Sequence, residues 1–385
     1  MTREFALSNA RIVAGEEDFL GSLLVRDGRI AAIDRGAARS AGSIDCEGDV
    51  VVPGLVELHT DNLERHVVPR PKVRWHVGSA ALAHDAQMVA AGVTTVFDAI
   101  ACGDIMEGSA RLSNLQAMVE AVTNGQAKGY LRADHRLHLR CEVSSANILE
   151  LFGGLIDNPL VGPLVGIVSV MDHTPGQRQF VHPEKYRDYF MGKYGFSEAE
   201  MAEFTRRQEE NAARYSDTHR RAIAAICRER GFRLASHDDA TEAHVAEAAD
   251  LGTHLAEFPT TREAARASRR AGMAVLMGAP NLVRGGSHSG NIAAADLAAE
   301  GDLDVLSSDY VPISLMAAAF LLHKGPLGFP LPAAIATVTR NPATAAGLDD
   351  RGVLAVGKRA DIVRVHDAEE MPVIRAVWRA GERVL

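Results

Sequence analysis

Residues 51–71 read VVPGLVELHTDNLERHVVPRP, an apolar run with the character of a buried strand that stops abruptly at His59-Thr60-Asp61. Side chains two apart on a strand share a face, so His59 and Asp61 converge on one spot just past its end. An imidazole and a carboxylate aimed together at the C-terminal edge of a strand are the beginning of a divalent-metal site. Taken alone, the pair is more often an ordinary strand-end hydrogen bond, and the rest of the chain must decide.

Working outward from that stretch, apolar runs alternate with helical patterns, as in repeated βα units. Strands are expected at Leu55–His59, Thr94–Asp98, Leu137–Val143, Val165–Asp172, Arg233–His237, Thr253–Phe258, Ala274–Met277 and Leu303–Ser308. Amphipathic stretches such as Gly78–Ala91 and Glu198–Arg230 fit crossover helices. Eight units over roughly 290 residues match an α/β fold of the (β/α)8 TIM-barrel type, typically about 250 residues with insertions. The excess falls between His173 and Arg233, and a long insertion at about 174–218, after a barrel strand, is a candidate active-site lid.

Both ends of the chain read differently. FALSNARIV, SLLVRDGRIAAID and GSIDCEGDVVVP before residue 54, and VLAVGKRADIVRVHD and VIRAVWRAGERVL after Gly352, are short β-branched runs separated by turn residues. Termini often lie close together, so residues 1–53 and 343–385 are expected to form one small composite β-sandwich-like domain beside a barrel of residues 54–342.

Composition narrows the function. A hydrophobic fraction of 47% and a charged fraction of 24% are those of a soluble globular protein. The formal net charge of −9 argues against nucleic acid or an anionic membrane as partner, and leaves phosphate recognition to local basic groups. MTREFALSNARIV has no apolar leader core, and the longest apolar stretch, Val311–Leu322, is too short to span a bilayer, which points to the cytoplasm. Cys46, Cys102, Cys141 and Cys227 are scattered, as expected of buried reduced thiols. The segment LMAAAFLL is read as either core or the interface of a homo-oligomer.

In a barrel of this type, catalytic residues sit at the C-terminal ends of the strands. Strand one ends in His59 and Asp61, strand three carries Glu142, strand four runs to His173, strand five to His237 and strand eight to Asp309. Three histidines and three carboxylates exceed the three protein ligands usual for a single catalytic zinc, so two divalent ions are expected, zinc foremost with manganese or iron compatible. Glu142 is the candidate bridging carboxylate, and Asp309 the base or orienting group for the attacking water. Such a centre would activate water and stabilise charge that develops on oxygen.

The arrangement resembles the amidohydrolase superfamily, with Asp61 in the place of the second histidine of its strand-one pair. ELHTDNLERH, LAHDAQMVAAGVTTVFDA, HLRCEV, MDHTPGQRQF, ASHDDAT, NLVRGGSHSGN and SSDYVP together resemble PhnM, the ribose 1-methylphosphonate 5-triphosphate diphosphatase family. That resemblance covers about Pro53–Val365 and implies metal-dependent hydrolysis of α-D-ribose 1-methylphosphonate 5-triphosphate to the 5-phosphate and pyrophosphate in the carbon–phosphorus lyase pathway. Arg70, Arg178, Arg284 and His288 fall on loops after strands and are candidate phosphate binders, while Asp238 supports a ligating histidine or meets substrate hydroxyls. The alternatives are a cyclic-amide or deaminase-type hydrolase of C–N bonds, and a non-catalytic assembly partner.

Overall fold

The computed structural model describes residues 4–36, 42–70, 73–103, 110–180, 183–287 and 290–385. Eight parallel strands follow one another in chain order: β1 (Leu55–Thr60), β2 (Val93–Cys102), β3 (Asp134–Glu142), β4 (Val165–Met171), β5 (Arg233–His237), β6 (Leu255–Glu257), β7 (Ala274–Gly278) and β8 (Val305–Ser307). Every strand expected from the sequence is present. The circle closes at its C-terminal rim, where Thr60 and Asp309 form a parallel bridge. The Asp61 N–H donates to the Asp309 carbonyl at 2.9 Å and the Asp309 N–H to the His59 carbonyl at 3.1 Å. At the opposite rim, residues 337–338 lie between the same two strands, the Thr337 carbonyl accepting from Leu306 N–H and that of Val338 from Val56 N–H.

Inside the barrel Val56, Leu58, Phe97, Ile167, Ala235, Leu255, Leu276 and Val305 pack into one layer. Simple alternation would put His59 on the opposite face from Val56 and Leu58. The ladder between β1 and β2 is irregular between Glu57 and Thr60, and beyond this irregularity His59 meets interior residues of β5 and β6. Bulges re-aim side chains in this way beside active sites.

The helices outside follow their sequence signals. Thr261 caps the helix Arg262–Arg270 by accepting from the Ala264 N–H, and the helix Asp217–Arg230 stops at Gly231, whose φ of 74° suits glycine. LMAAAFLL belongs to the helix Ser314–Lys324, which buries Leu315, Met316, Ala318, Ala319, Phe320 and Leu322, so the segment is core. Among the described residues no helix is long and apolar enough to cross a membrane.

A second, mostly antiparallel sheet unites the two ends of the chain. Val50–Pro53 pairs parallel with Glu4–Ala14 and antiparallel with Ile362–Asp367. Gly54 joins this sheet to β1. A Cβ there would lie 2.2 Å from the Thr94 hydroxyl, so the two layers meet only because the position has no side chain. Between β4 and β5, the helices Pro183–Tyr194 and Glu198–Asn211 enclose their own small core of Phe180, Tyr186, Phe190, Met201 and Phe204.

Candidate active site

The C-terminal rim forms a mouth of two lobes. One is lined by His59, Asp309, Phe258, Asn281, Arg284 and Tyr310. The other is lined by Glu142, His173, Met171 and an aromatic wall of Phe180, Tyr189 and Phe190. Asp61, Arg140, Gln179, His237 and Asp238 face both. Three residues that turn the chain at this rim, Asp238, Phe258 and Asp309, have φ of 57°, 53° and 53°. Non-glycine residues adopt this conformation at a cost that surrounding structure must offset, and such residues cluster at functional sites.

Glu257, the last residue of β6, organises the floor. Its Oε1 lies 3.0 Å from His59 Nδ1 and its Oε2 lies 3.3 Å from His237 Nδ1 and 2.6 Å from the Ser169 hydroxyl. Burial opposes the charge on Glu257, but His138, His59 and His237 around it hold its carboxyl well below the usual range. An ionised carboxylate only accepts, so Nδ1 of both histidines carries the proton; against burial, the same carboxylate raises the His59 pKa, and His237 Nε2 lies 3.5 Å from Arg140 NH2. His173 repeats the pattern: Glu142 Oε2 lies 2.6 Å from its Nδ1, and Glu142 Oε1 accepts from the His173 backbone N–H and the Ser144 hydroxyl. Burial works against Glu142 as well, and His173 outweighs it, leaving that carboxyl below its ordinary value. His138, buried beneath His59, is pushed down to about 4 by desolvation and stays neutral.

The six sequence-predicted donors all reach the mouth, but they divide. Donor atoms of His59, Asp61 and Asp309 lie within 4.8 Å of one another, as do those of His173, His237 and Asp238. Glu142 stands with the second group, on His173, and does not line the first lobe. Burial, then the charge of Asp61, raises the Asp309 carboxyl above its ordinary value. Asp238 Oδ2 lies 3.4 Å from His237 Nε2.

The expected phosphate binders fare unevenly. Arg284 lines the first lobe. Arg70 is exposed and lines neither lobe. Arg178 is 3% exposed and its guanidinium is held by Asp239 and Glu247, an intramolecular pairing in place of the expected phosphate contact; its neighbour Gln179 faces both lobes instead. His288 lies outside the described residues.

Two central residues were not read as functional from the sequence. Glu257 lies in LAEF, a stretch without a chemical motif. Arg140 NH1 donates to both oxygens of Asp61, at 2.8 and 3.1 Å. The available signal was its spacing: two residues before Glu142, it shares that residue's face.

The imidazole tautomers provide the test of fit for a metal. Three histidines whose Nδ1 is tied to a carboxylate, leaving Nε2 as the outward nitrogen, are the pattern that metal-ligating histidines show. His173 and His237, with Asp238 and Glu142 beside them, form a donor set suited to a divalent ion.

Comparison with known proteins agrees. Residues 192–384 match the model of the amidohydrolase family. Over 99% of its length the chain superposes on 5-methylcytosine deaminase from Klebsiella pneumoniae, with TM-score 0.64, 17% identity and 97% of that chain covered. It superposes on N-acetyl-D-glucosamine-6-phosphate deacetylase from Mycobacterium smegmatis with TM-score 0.65 and 17% identity, covering 99% of both chains. The chain belongs to the amidohydrolase family. Within it, the chain is 52% identical over 379 residues, 98% of its length and 99% of the relative's, to alpha-D-ribose 1-methylphosphonate 5-triphosphate diphosphatase of Escherichia coli strain K12. The resemblance read from the sequence motifs is thereby borne out.

Proposed function

We infer that the chain hydrolyses α-D-ribose 1-methylphosphonate 5-triphosphate to the 5-phosphate and pyrophosphate, as a metal-dependent step of phosphonate catabolism in the cytoplasm. The observation that carries this reading is 52% identity across 98% of the chain to a diphosphatase of that name. The donors at the barrel mouth supply a matching chemistry. The deaminase and deacetylase structures share the fold at 17% identity, which carries no substrate with it. The C–N reading is therefore the weaker one, and an intact donor set speaks against a non-catalytic role.

A divalent ion, zinc by the mixed imidazole and carboxylate donors and manganese or iron as alternatives, would be held by His173 and His237 with Glu142 and Asp238 alongside. When bound, it would supply Lewis-acid stabilisation of phosphoryl oxygens and a more acidic water. A second ion on His59, Asp61 and Asp309 competes with the guanidinium already on Asp61. The chain's own groups do the rest. Asp309 takes the proton from the attacking water, a task its raised pKa favours. Arg284 at the rim meets phosphate oxygens, and Glu257 keeps His59 and His237 in the required tautomer.

Phosphorus NMR of the protein with this substrate, run with added divalent metal and again with a chelator, tests the reading. Metal-dependent growth of pyrophosphate is the expected result; a metal-loaded protein that leaves the triphosphate intact would sink it.

A further inference from the structure

We propose that Arg140 is a resident cation standing where a second metal ion would otherwise sit, so that the chain holds one divalent ion and Arg140 presents the other positive charge to the phosphoryl oxygens. The metal count stands apart from the diphosphatase reading; only the contact with substrate rests on it.

Four observations converge. Arg140 lines both lobes, at the junction of the two donor groups. Its NH1 bonds both oxygens of Asp61, and its NH2 lies 3.5 Å from His237 Nε2, beside the second group. Its Nε is buried and has no hydrogen-bond partner among the described residues, so the guanidinium's donors are not all spent within the protein. Finally, Glu142, the one carboxylate expected to bridge two ions, lines the lobe of His173 and not that of His59.

An ion bound by Asp61 would share its oxygens with Arg140 NH1 and sit against the guanidinium charge. A lysine in this place could shed its proton to make room. Arginine does not, so its charge is permanent, and it offers no lone pair to a metal. The same features suit phosphate. The planar fork gives charge-assisted hydrogen bonds to phosphoryl oxygens, and arginines placed at a transferring phosphoryl group act on its developing charge. As the anhydride bond breaks and pyrophosphate leaves with the bonding electrons, a fixed cation at the junction of the lobes offsets that charge without binding or releasing an ion.

The test begins with metal content. Wild-type protein saturated with zinc and freed of excess is expected to hold one ion per chain by elemental analysis; two ions would overturn the proposal and leave the diphosphatase reading untouched. The isosteric variant D61N gives the fold-safe second arm. Because Asp61 serves Arg140 and not an ion, D61N keeps one ion per chain; loss of an ion on this change would overturn the proposal. For the substrate contact, R140K and R140M are compared with wild type in pyrophosphate release. R140M is expected to lower kcat by about 10²–10³-fold, and R140K to recover part of the loss. Wild-type turnover in R140M would overturn that contact. A wild type that releases no pyrophosphate would overturn it too, along with the proposed function, and leave the metal count to be judged by itself.

Discussion

Among the described residues, two groups of buried histidines and carboxylates lie in the barrel, and one of them lines the mouth. The mouth gathers His59, Asp61, His173, His237 and Asp309 around open space. Behind the strands, His84, Asp98, His135 and Asp85 form the other, and their donor atoms also come close enough to suit an ion. There every group is already satisfied. Asp98 takes His84 Nε2 on one oxygen and His135 Nδ1 on the other, both at 2.7 Å, and Asp85 accepts from His135 Nε2 and from the backbone of Arg132 and Ala133. Asn62 completes the network, its amide reaching His84 Nδ1 at 3.0 Å and Gln87 Oε1 at 2.9 Å. Residue types alone do not separate the two clusters. Pairing and access do: one set of donors faces a cavity, while the other is buried and paired within itself.

The comparison breaks or sharpens at four points. The largest effect belongs to Asp309. D309N should lower kcat by about 10²–10⁴-fold, as loss of a general base does, while the melting temperature of the metal-free protein stays level or rises because a strained buried charge is gone. A parallel fall in both would return Asp309 to the structural class. Next, D98N leaves His135 charged and half-paired, which should destabilise the fold by about 3–5 kcal/mol in urea titrations. Metal content of the folded fraction should not change, and a lost ion would make the closed cluster a metal site after all. Third, E257Q loosens the hold on two imidazoles and should weaken metal affinity by about 10–100-fold in competition with a chromophoric chelator. Unchanged affinity would confine Glu257 to packing.

The smallest effect is on pH. Despite burial, Asp98 and Asp85 raise the His135 pKa to about 9 from 6.5. That contribution to stability is complete below 6.5 and fades as pH rises through about 9. His135 holds Asp85 and Asp98 below the ordinary carboxyl value of 3.8, so their part is present above that pH and fades on acidification. Asp309 runs the other way, its penalty growing as it ionises above 3.8. The urea midpoint of the metal-free wild type should therefore decline between pH 6.5 and 9 more than that of D98N; equal slopes would show that the closed cluster is not what titrates.

Much of this was legible in advance because strand identity and strand order follow from local pattern. VGIVSVM and RLASH read as strands by themselves, and once eight such runs make a barrel, their last residues must share a rim. Face alternation also separates the clusters on β3, where His138, Arg140 and Glu142 share one parity while His135 shares the other with Leu137, Leu139 and Cys141, which pack under the helices. Where alternation failed was β1, because a ladder irregularity between Glu57 and Thr60 turns His59 inward and depends on pairing with β2. Glu257 was missed because its importance comes from two histidines 198 and 20 residues away.

The sequence by itself determined the barrel and which residues stand at its C-terminal rim, since period-two patterning and motif spacing are properties of neighbouring residues. Only the tertiary structure decided how those donors are shared out: that Glu142 belongs to His173, that Arg140 holds Asp61, that Arg178 is turned to Asp239 and Glu247, and that His84 and His135 are closed off. Each of these is a pairing between distant segments, set by which side chains exhaust one another's hydrogen-bonding capacity once the barrel brings them together.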